Sequence, residues 1–568
     1  MKVVIIGGVA GGATAAARIR RLDEQAEIVV FERSGYISYA NCGLPYFIGD
    51  VITQRSALTL QTPESFFSRF RVDMRVRHEV TAIHPDRKAV SVKNLETGEE
   101  FEECYDKLIL SPGAKPTQPR LPGAGLSRLF TLRTVEDTFR IKNYIQANHP
   151  RSAVLAGGGF ISLELAENLR ELGMEVTIVQ RPRQLMNPFD PDMAAFIHSE
   201  MRRNGVRLAL GHTVEGFEER DGGVDVLLKD EAPLHADMVV LAIGVTPDTA
   251  LAKDAGLELG LKGSIVVNDR METSAPHIYA VGDAVQVKHY VTGNDAVISL
   301  AGPANKQGRI AADNICGGDS RYLGSQGSSV IKVFSMTAAS TGINETNAKK
   351  AGLSVDKVIL SPMSHAGYYP GGKVMTMKVV FEKETCRLLG AQIVGYEGVD
   401  KRIDVLATAI HAGMRAGQLK DLDLAYAPPF SSAKGPVNMA GFMIDNISKG
   451  VLKQWFLEDV PALPRDGSVT LLDARTPAEF SHGHIEDFVN IPVDELRERL
   501  DELERGKPVY VICQSGLRSY IAARILEGSG FEAYNFAGGF RFYDAVTNDQ
   551  CLIEQATACG MDQYSKSS

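Results

Sequence analysis

The sequence has few cysteines, and no two of them are spaced as CxxC. Seven are spread along 568 residues, at positions 42, 104, 316, 386, 513, 551 and 559. This spacing favours neither a structural zinc site nor a disulfide framework, so no metal site is predicted. We expect a reducing, cytoplasmic location, where a special cysteine is more often reactive than structural.

Long apolar runs and an excess of positive charge are also missing. MKVVIIGG has only about five apolar residues, so neither a signal peptide nor a membrane span is expected there. No other stretch reaches the roughly 18 apolar residues that a span needs. The net charge of −9 argues against nucleic-acid binding. The length predicts roughly three to five globular domains.

The N-terminal stretch KVVIIGGVAGGATAAARIRRLDEQAEIVVFER has the pattern strand, glycine turn, helix, strand. Small residues in the turn let backbone N–H groups and the helix N-terminus meet a pyrophosphate. Glu32 ends the second strand, 20 residues after Gly12, where an acid can bind a ribose hydroxyl. Val9 occupies the usual middle-glycine position. The combination predicts a dinucleotide site.

A second unit, SAVLAGGGFISLELAENLRELGMEVTIVQRP, repeats this pattern about 150 residues later. Its second strand ends at Gln180, which can hydrogen-bond a ribose hydroxyl. Arg181 and Arg183 follow and could neutralise a 2′-phosphate, or they could be ordinary solvated arginines. The choice between NADH and NADPH therefore stays open.

Two such units, the stretch HIYAVGDAV with Asp283, and the crossover stretches LILSPGAKP and LAIGVTPDT resemble the pyridine nucleotide–disulfide oxidoreductase family. The resemblance implies one flavin and one nicotinamide nucleotide. The FAD residues it implies are Gly7, Gly8, Ala10, Gly11, Gly12, Glu32, Arg33, Asn41, Pro112, Gly113, Asp283 and Ala301. The NAD(P)H residues it implies are Gly157, Gly159, Phe160, Ile161, Gln180 and Gly244.

Cys42, in ISYANCGLPYFIG, has no second cysteine nearby, and position 47 is Phe, which excludes an internal redox disulfide. The thiol could be structural, could cycle through a sulfenic acid, or could form a mixed disulfide with a small thiol. Peroxidase-type relatives carry a histidine where this chain has Ala10, which argues against peroxide chemistry.

GGVAGG, ARIRRLDE and SYANCGLPYFIG resemble coenzyme A-disulfide reductases, in which the single cysteine pairs with the coenzyme A thiol. By this resemblance Ser38 and Asn41 lie beside the thiol end. Arg18 and Arg21 share one helix face and could hold coenzyme A phosphates, or they could be ordinary solvated residues. Arg69 and Arg71 are further candidates.

The region that follows resembles the family's dimerisation domain, which completes the partner's active site. YAPPFSSAKGPVN matches its terminal motif. Tyr368 and Tyr426 resemble the paired tyrosines that reach the neighbouring thiol site, although Tyr369 is adjacent and Phe430 stands where many members have tyrosine. Their hydroxyls could donate to a leaving thiolate, or the rings could only pack a homodimer interface.

The C-terminal segments SVTLLDARTPAEFSHGHIEDFVNIP and PVYVICQSGLRSYIAARILEGSGFEAYNFAGGF resemble a rhodanese domain. Cys513 follows a buried strand, and the CQSGLRS loop leads into a helix, so loop N–H groups and the helix dipole can stabilise a persulfide anion. Gly516 permits the tight curve, and Arg518 supplies a positive charge. Tyrosine phosphatases place five residues between Cys and Arg, whereas here there are four.

The predicted fold class is α/β, with two Rossmann-like dinucleotide-binding domains, an α+β dimerisation domain and a C-terminal α/β rhodanese domain. The predicted ranges are FAD-binding 1–148 and 271–322, NAD(P)H-binding 149–270, dimerisation 323–448, linker 449–464, rhodanese 465–553 and tail 554–568.

The whole chain resembles coenzyme A-disulfide reductases fused to rhodanese, also described as NADH-dependent persulfide reductases. This resemblance implies FAD-dependent, NAD(P)H-driven reduction of coenzyme A disulfide, persulfides or polysulfides at Cys42, with Cys513 binding sulfane sulfur. Coenzyme A would be either a bound cofactor or a substrate. The alternatives are an NADH oxidase or peroxidase and a sulfur-carrier or sensing protein.

Overall fold

The computed structural model describes residues 1–559, with side chains to residue 555, and it divides into two compact units. One unit comprises residues 1–182 and 205–327, and the other comprises residues 183–204 and those from 328 onward. Strands and helices are numbered in chain order. Within the described residues, no helix has the length and apolar character that crossing a bilayer requires.

A parallel sheet of order β21–β9–β1–β2–β5 forms the first dinucleotide-binding domain. Its strands are β1 (Lys2–Ile6), β2 (Glu27–Glu32), β5 (Asp73–Val76), β9 (Lys107–Leu110) and β21 (Ile278–Ala280). Both faces of the sheet are covered, which is why β1 is a continuous apolar run with Val3, Val4 and Ile5 fully buried.

A second parallel sheet, of order β11–β18–β12–β13–β14, repeats this arrangement. Its strands are β11 (Leu129–Phe130), β12 (Ser152–Ala156), β13 (Glu175–Gln180), β14 (Val206–Leu210) and β18 (Met238–Leu241). The unit's smaller sheets use β3 (Ile37–Tyr39), β4 (Thr59–Gln61), β6 (His78–His84), β7 (Ala89–Asn94), β8 (Glu100–Cys104), β10 (Ala114–Pro116), β15 (Val214–Arg220), β16 (Gly223–Leu228), β17 (Leu234–Ala236), β19 (Val245–Pro247), β20 (Ile265–Val266), β22 (Val285–Lys288) and β23 (Asp295–Ala296).

The helices of this unit include those that start directly after the glycine turns. They are α1 (Ala10–Leu22), α2 (Leu44–Ile48), α3 (Pro63–Phe70), α4 (Val135–Asn148), α5 (Phe160–Glu171), α7 (Ala250–Asp254) and α8 (Ala301–Ile315). Helices α1 and α8 pack together, and Gly308 allows this because a side chain there would meet the Gly11 carbonyl oxygen at 2.4 Å. The turn before α1 is thereby placed beside α8.

The second unit contains an antiparallel sheet of order β24–β25–β28–β27–β26. Its strands are β24 (Ser329–Val333), β25 (Met336–Gly342), β26 (Val355–Leu360), β27 (Met375–Glu382) and β28 (Leu388–Gly395). The helices beside it are α6 (Pro191–Arg203), α9 (Glu345–Lys350), α10 (Val399–His411) and α11 (Pro436–Ser448).

Residues 183–204 were expected to lie in the NAD(P)H-binding domain, but the structure packs them in this second unit. A buried ion-pair cluster explains the difference. Lys378 is 1% exposed and lies 3.1 Å from Asp190, 2.7 Å from Asp192 and 2.8 Å from Glu345. A buried lysine needs such partners, so the segment that carries the two aspartates is held against the antiparallel sheet.

A parallel sheet of order β29–β33–β32–β30–β31 forms the C-terminal domain. Its strands are β29 (Gln454–Trp455), β30 (Thr470–Asp473), β31 (Val489–Asn490), β32 (Val509–Ile512) and β33 (Ala533–Phe536). Its helices are α12 (Pro477–Ser481), α13 (Leu517–Gly528) and α14 (Gly539–Cys559).

Two boundaries of this domain differ from the expected ones. The segment 449–464, expected to be a linker, contributes β29 to the sheet, where Trp455 is buried against Phe536 with ring centroids 4.5 Å apart. Helix α14 runs through the boundary expected at 553, and the remainder of the predicted tail, residues 560–568, lies outside the described residues. Burial of the single Trp in the domain core is the physical reason for the first difference.

Candidate active site

The two glycine turns share one geometric requirement. Gly7 (φ +97°) and Gly157 (φ +118°) both adopt a left-handed conformation that favours glycine. A Cβ on Gly7 would lie 2.1 Å from the Ser111 carbonyl oxygen, and one on Gly157 would lie 2.2 Å from that of Ala242. Each crossover strand therefore presses against the first glycine of a turn, as the repeated motif requires.

The first turn has the polar groups that an FAD site needs. Glu32 is buried, and its carboxylate accepts the N–H of Gly8 at 2.8 Å and that of Ser34 at 2.9 Å. Burial raises the pKa of Glu32 despite these hydrogen bonds. Asp283 forms an ion pair with Arg133 at 2.6 Å. Glycine backbone N–H groups can bind a pyrophosphate, and a fixed carboxylate beside them can bind a ribose hydroxyl. The residues present therefore fit FAD.

The other predicted nucleotide residues lie at helix starts or in turns. Ala10, Phe160 and Ala301 are the first residues of α1, α5 and α8. Gly159, the N-cap of α5, has open space where a side chain would stand, which fits a nicotinamide nucleotide there. The remaining positions are Gly11 and Gly12 in α1, Asn41 beside Cys42, Pro112 and Gly113 after β9, Ile161 in α5, Gln180 at the end of β13, and Gly244 (φ +118°) before β19. Arg33 is paired with Asp248 at 2.7 Å.

Cys42 lies in a 3-10 turn, Asn41–Gly43, that leads directly into α2. The residue is exposed and unpaired with other cysteines of the described chain. Ser38 donates its N–H to the Gly8 carbonyl oxygen at 2.9 Å, so the cysteine segment is hydrogen-bonded to the first glycine turn. Ser38 has φ 42°, a strained value for a non-glycine residue of the kind found at functional sites.

Helix α2 is held by residues from α4 and α5. The ammonium of Lys142 donates to the Ile48 carbonyl oxygen at 2.8 Å and pairs with Asp50 at 2.7 Å. Gly49 packs so closely on Asn168 that a Cβ there would meet its side-chain oxygen at 2.0 Å. The cysteine turn is therefore fixed at both ends.

The electrostatic surroundings of Cys42 favour the neutral thiol. Burial of the sulfur raises the pKa of Cys42, and the carboxylate of Glu164 raises it further, while Arg133 opposes them. Burial and the neighbouring Glu167 raise the pKa of Glu164 itself to about 7. Tyr46 donates its hydroxyl to Glu164, and burial with the two carboxylates raises the pKa of Tyr46 to about 12.

Four arginines were predicted to bind coenzyme A phosphates, and they differ in their partners. Arg18 is paired with Asp313 at 2.6 Å, so its charge is already compensated. Arg21, Arg69 and Arg71 are exposed. The buried Arg20 donates to carbonyl oxygens at the ends of both α1 and α3, among them Phe70 at 2.8 Å and Arg71 at 2.9 Å, and this brings the three exposed arginines to neighbouring helix ends.

In the second unit, the hydroxyls of Tyr368 and Tyr426 are 2.7 Å apart and hydrogen-bonded. The two residues are 76% and 45% exposed. Tyr369 instead packs edge-on against His365, with ring centroids 5.5 Å apart. The structure therefore pairs Tyr426 with Tyr368, and Phe430, 68% exposed, lies with Tyr426 on the segment that precedes α11.

Cys513 directly follows β32 and is fully buried. Its sulfur accepts two hydrogen bonds of 3.1 Å, from the Gly516 N–H and from the Ser519 hydroxyl. Gly516 has φ +99° and caps α13, as the predicted tight curve requires. The Phe540 N–H donates to the Cys513 carbonyl oxygen at 2.7 Å, so the segment after β33 supports the loop.

The positive charge predicted at Arg518 is compensated by a carboxylate partner that the sequence analysis did not name. Its two terminal nitrogens each donate to Glu479 at 2.7 Å, in a bidentate ion pair. This pair is the main reason why the pKa of Glu479 is lowered to about 2. Arg518 and Glu479 are 39 positions apart in the sequence, and they meet because α12 packs beside the Cys513 loop. No local sequence pattern indicates this contact.

Comparisons with known proteins agree with this arrangement. The profile of the pyridine nucleotide-disulphide oxidoreductase family matches residues 1–308, that of its dimerisation domain matches 328–436, and that of the rhodanese-like domain matches 457–545. The chain belongs to the pyridine nucleotide-disulphide oxidoreductase family. It is a flavoprotein oxidoreductase with FAD and a pyridine nucleotide as cofactors, and the predicted fold class is confirmed.

Three relatives illustrate the similarity. Coenzyme A disulfide reductase of Staphylococcus aureus (strain JH9) is 37% identical over 442 residues, which are 78% of this chain and 99% of the relative. The reduced Bacillus anthracis CoADR-RHD structure has a TM-score of 0.94 with 48% identity, covering 96% of this chain and 98% of that one. A NAD-dependent persulfide reductase from A. fulgidus has a TM-score of 0.90 with 38% identity, covering 96% and 100%.

Sequence reasoning missed several residues that shape both sites of this oxidoreductase. Glu164, Lys142 and Arg133 surround the Cys42 segment, and Ser519 and Glu479 surround the Cys513 loop. Only two of them left a signal in the sequence. Ser519 follows Arg518 in the loop motif, and Glu479 stands three residues after Thr476 as in a capping box.

Proposed function

We propose that the protein reduces coenzyme A disulfide and the persulfides or polysulfides of coenzyme A and other small thiols, with NAD(P)H as the electron donor. Cys42 is the single redox cysteine, and the C-terminal domain receives or delivers sulfane sulfur at Cys513. One observation carries the proposal: a solitary, exposed thiol stands on a turn that is hydrogen-bonded to the first dinucleotide-binding turn. The names of the three relatives support it.

The chemistry at Cys42 needs one protein sulfur because the substrate supplies the second. The Cys42 thiolate attacks one sulfur of a disulfide, forms a mixed disulfide with it, and releases the other half as a thiolate. With a persulfide, attack on the inner sulfur releases hydrosulfide. FAD, held at the glycine turn before α1 and reduced by NAD(P)H, would supply the two electrons needed to cleave the mixed disulfide to two thiols.

Coenzyme A recognition is assigned to the exposed arginines. Arg21, Arg69 and Arg71 can meet phosphates without breaking an ion pair, whereas Arg18 would first have to leave Asp313. Ser38 lies in the strand before the cysteine turn, and Asn41 directly precedes Cys42. These positions support a role for both residues in binding the thiol end of the ligand.

The dimerisation domain at residues 328–436 supports a homodimer, in which we propose that the active sites are shared between subunits. Tyr368 and Tyr426 expose an already hydrogen-bonded pair of hydroxyls, with the apolar ring of Phe430 also exposed. Such a surface is suited to burial against a second copy, where a hydroxyl can donate to the thiolate that leaves at the other subunit's Cys42.

The test uses Cys42→Ser and Cys513→Ser in the full-length protein. NAD(P)H oxidation is followed with coenzyme A disulfide and with coenzyme A persulfide, and flavin content is read from absorbance. We expect Cys42→Ser to reduce both activities to background with flavin retained. Cys513→Ser should leave reduction of soluble substrates largely intact while impairing sulfur transfer. For the wild type, kcat/KM should be higher with the persulfide than with the disulfide.

Retained reduction in Cys42→Ser would contradict the proposal. Oxygen or peroxide turnover faster than turnover of every sulfur substrate would instead favour an oxidase or peroxidase. Stable persulfide transfer from Cys513 without any reductase turnover would favour a sulfur carrier.

A further inference from the structure

Two arginines beside the Cys513 loop, Arg518 and Arg475, are each paired with a carboxylate. Arg518 is bound by both oxygens of Glu479, at 2.7 Å each. The same carboxylate also accepts the Thr476 N–H at 3.0 Å and the Thr476 hydroxyl at 2.9 Å. Glu479 is thus held by four hydrogen bonds and cannot leave Arg518 without losing the helix cap.

The second arginine near the loop is neutralised in the same way. Arg475 is 1% exposed and donates to both oxygens of Asp473, which is fully buried, with a shortest distance of 2.7 Å. It also donates to the Gly483 carbonyl oxygen at 2.7 Å and, more weakly, to the Gln514 side-chain oxygen at 3.4 Å. The two arginines and two carboxylates sum to zero charge, so these pairs offset none of the negative charge of a Cys513 thiolate.

Because both arginines are neutralised, we expect Cys513 to react differently with sulfur donors that differ in negative charge. Thiosulfate carries two negative charges next to the sulfur that is transferred. It would have to approach a negatively charged thiolate, and the two ion pairs beside the loop supply no net positive charge to offset the repulsion. An organic persulfide presents at most one negative charge at its reacting end. The exposed Leu517 between Gly516 and Arg518, 56% exposed, adds apolar surface that suits a carbon-bound donor.

We propose that Glu479 is a specificity-determining residue that, by neutralising Arg518, makes Cys513 select organic persulfides over the thiosulfate dianion. This inference rests on the proposed role of Cys513 as a sulfur acceptor. In the reaction, the Cys513 thiolate attacks the terminal sulfur of a protonated persulfide, a new S–S bond forms, and the donor S–S bond breaks. The donor leaves as a thiol with the proton, and no net oxidation or reduction occurs.

The experiment compares loading of Cys513 from sodium thiosulfate and from glutathione persulfide. Full-length protein carrying Cys42→Ser is used so that loading is not followed by reduction, and persulfide on Cys513 is quantified over time by peptide mass spectrometry. Glu479→Gln removes the charge but keeps a side chain that can complete the capping box. Glu502→Gln is the matched control, because Glu502 pairs with Arg499 in the same domain at a comparable exposure.

We expect Glu479→Gln to raise the loading rate constant with thiosulfate about tenfold, and with glutathione persulfide less than about threefold, as removal of one nearby negative charge predicts. The gain with thiosulfate should shrink as salt is added, because the freed Arg518 charge is partly solvent-exposed. Glu502→Gln should leave the ratio between donors unchanged.

Three results would overturn the inference while sparing the proposed function. They are an unchanged donor ratio in Glu479→Gln, an equal loss with both donors, and the same shift in Glu502→Gln. If Cys513 is loaded by neither donor in any variant, the sulfur-acceptor role in the proposed function fails and this inference fails with it.

Discussion

The two cysteine sites treat sulfur in opposite ways. Cys513 is fully buried, and two hydrogen-bond donors of the protein point at its sulfur. Cys42 is an exposed residue, and no hydrogen bond to its sulfur is found among residues 1–555. Partial desolvation of the thiol by the surrounding protein, together with Glu164, raises the pKa of Cys42. The stabilising groups of the Cys513 sulfur thus belong to the chain itself, as its proposed role in holding sulfur requires. In the proposed role of Cys42, stabilisation of the sulfur would come from the cofactor and the substrate.

The largest expected effect is loss of stability in the C-terminal domain when the buried Arg475–Asp473 ion pair beside the Cys513 loop is broken. Asp473→Asn leaves the Arg475 charge buried without its partner, which should lower the free energy of unfolding of the C-terminal domain by about 3–5 kcal/mol. Denaturant unfolding followed by intrinsic fluorescence of the single Trp, Trp455, which lies in this domain, measures the change.

The comparison also predicts what Asp473→Asn should not do. Reduction of coenzyme A disulfide at Cys42 should persist while sulfur transfer is lost. Arg499→Met, which breaks an exposed pair in the same domain, is the control and should have little effect. If Asp473→Asn and Arg499→Met lowered the free energy of unfolding equally, the buried Arg475–Asp473 pair would not be the stabilising feature that we infer.

A smaller effect tests the hydrogen bonds at Cys513 directly. Ser519→Ala removes one of the two donors to the sulfur, and a hydrogen bond to a charged acceptor is worth about 1.5–3 kcal/mol. We expect persulfide loading of Cys513 to slow roughly tenfold or more, and Ser519→Thr, which keeps the hydroxyl, to restore most of the rate. Failure of the Thr variant to rescue loading would indicate that packing, not hydrogen bonding, matters at this position.

The smallest expected effect concerns pH at Cys42. Above pH 7 Glu164 is ionised and raises the pKa of Cys42, whereas below pH 7 it is protonated and neutral. Glu164→Gln should therefore lower the pKa of Cys42 and speed alkylation of its thiol by several-fold above pH 7, with little change below it. Peptide mapping after iodoacetamide treatment across pH 6–9 measures this.

Glu171→Gln is the matched control, because Glu171 is an exposed residue at the end of the same helix. Its alkylation profile should follow that of the wild type. Identical profiles for Glu164→Gln and the wild type would show that Glu164 does not influence the thiol.

Local motifs were predictable from the sequence because each is formed by neighbours along the chain. The glycine turns before α1 and α5 and the position of Cys513 between a strand and a helix were identified in this way. The two family resemblances then gave the fold class. The linker was misjudged because its only Trp was not recognised as a core residue of the following domain.

Contacts between distant segments were not predictable. Arg518 meets Glu479 across 39 residues, and Lys142 reaches the Ile48 carbonyl across 94. The choice between Tyr368 and Tyr369 also depended on Tyr426, which is 58 residues from Tyr368. Side-chain chemistry identifies residues that can form such pairs, but only packing decides which of them meet.

By itself the sequence determined the local features from which the chemistry was predicted: two separate thiols, two glycine turns and the acid Glu32 after the first of them. These depend on backbone conformations set by residues a few positions apart, so they can be inferred without the fold. The tertiary structure alone decided which charges remain available, since Arg21, Arg69 and Arg71 are exposed while Arg18 and Arg518 are compensated. Coulombic energy depends on distance in space, which the order of residues does not specify.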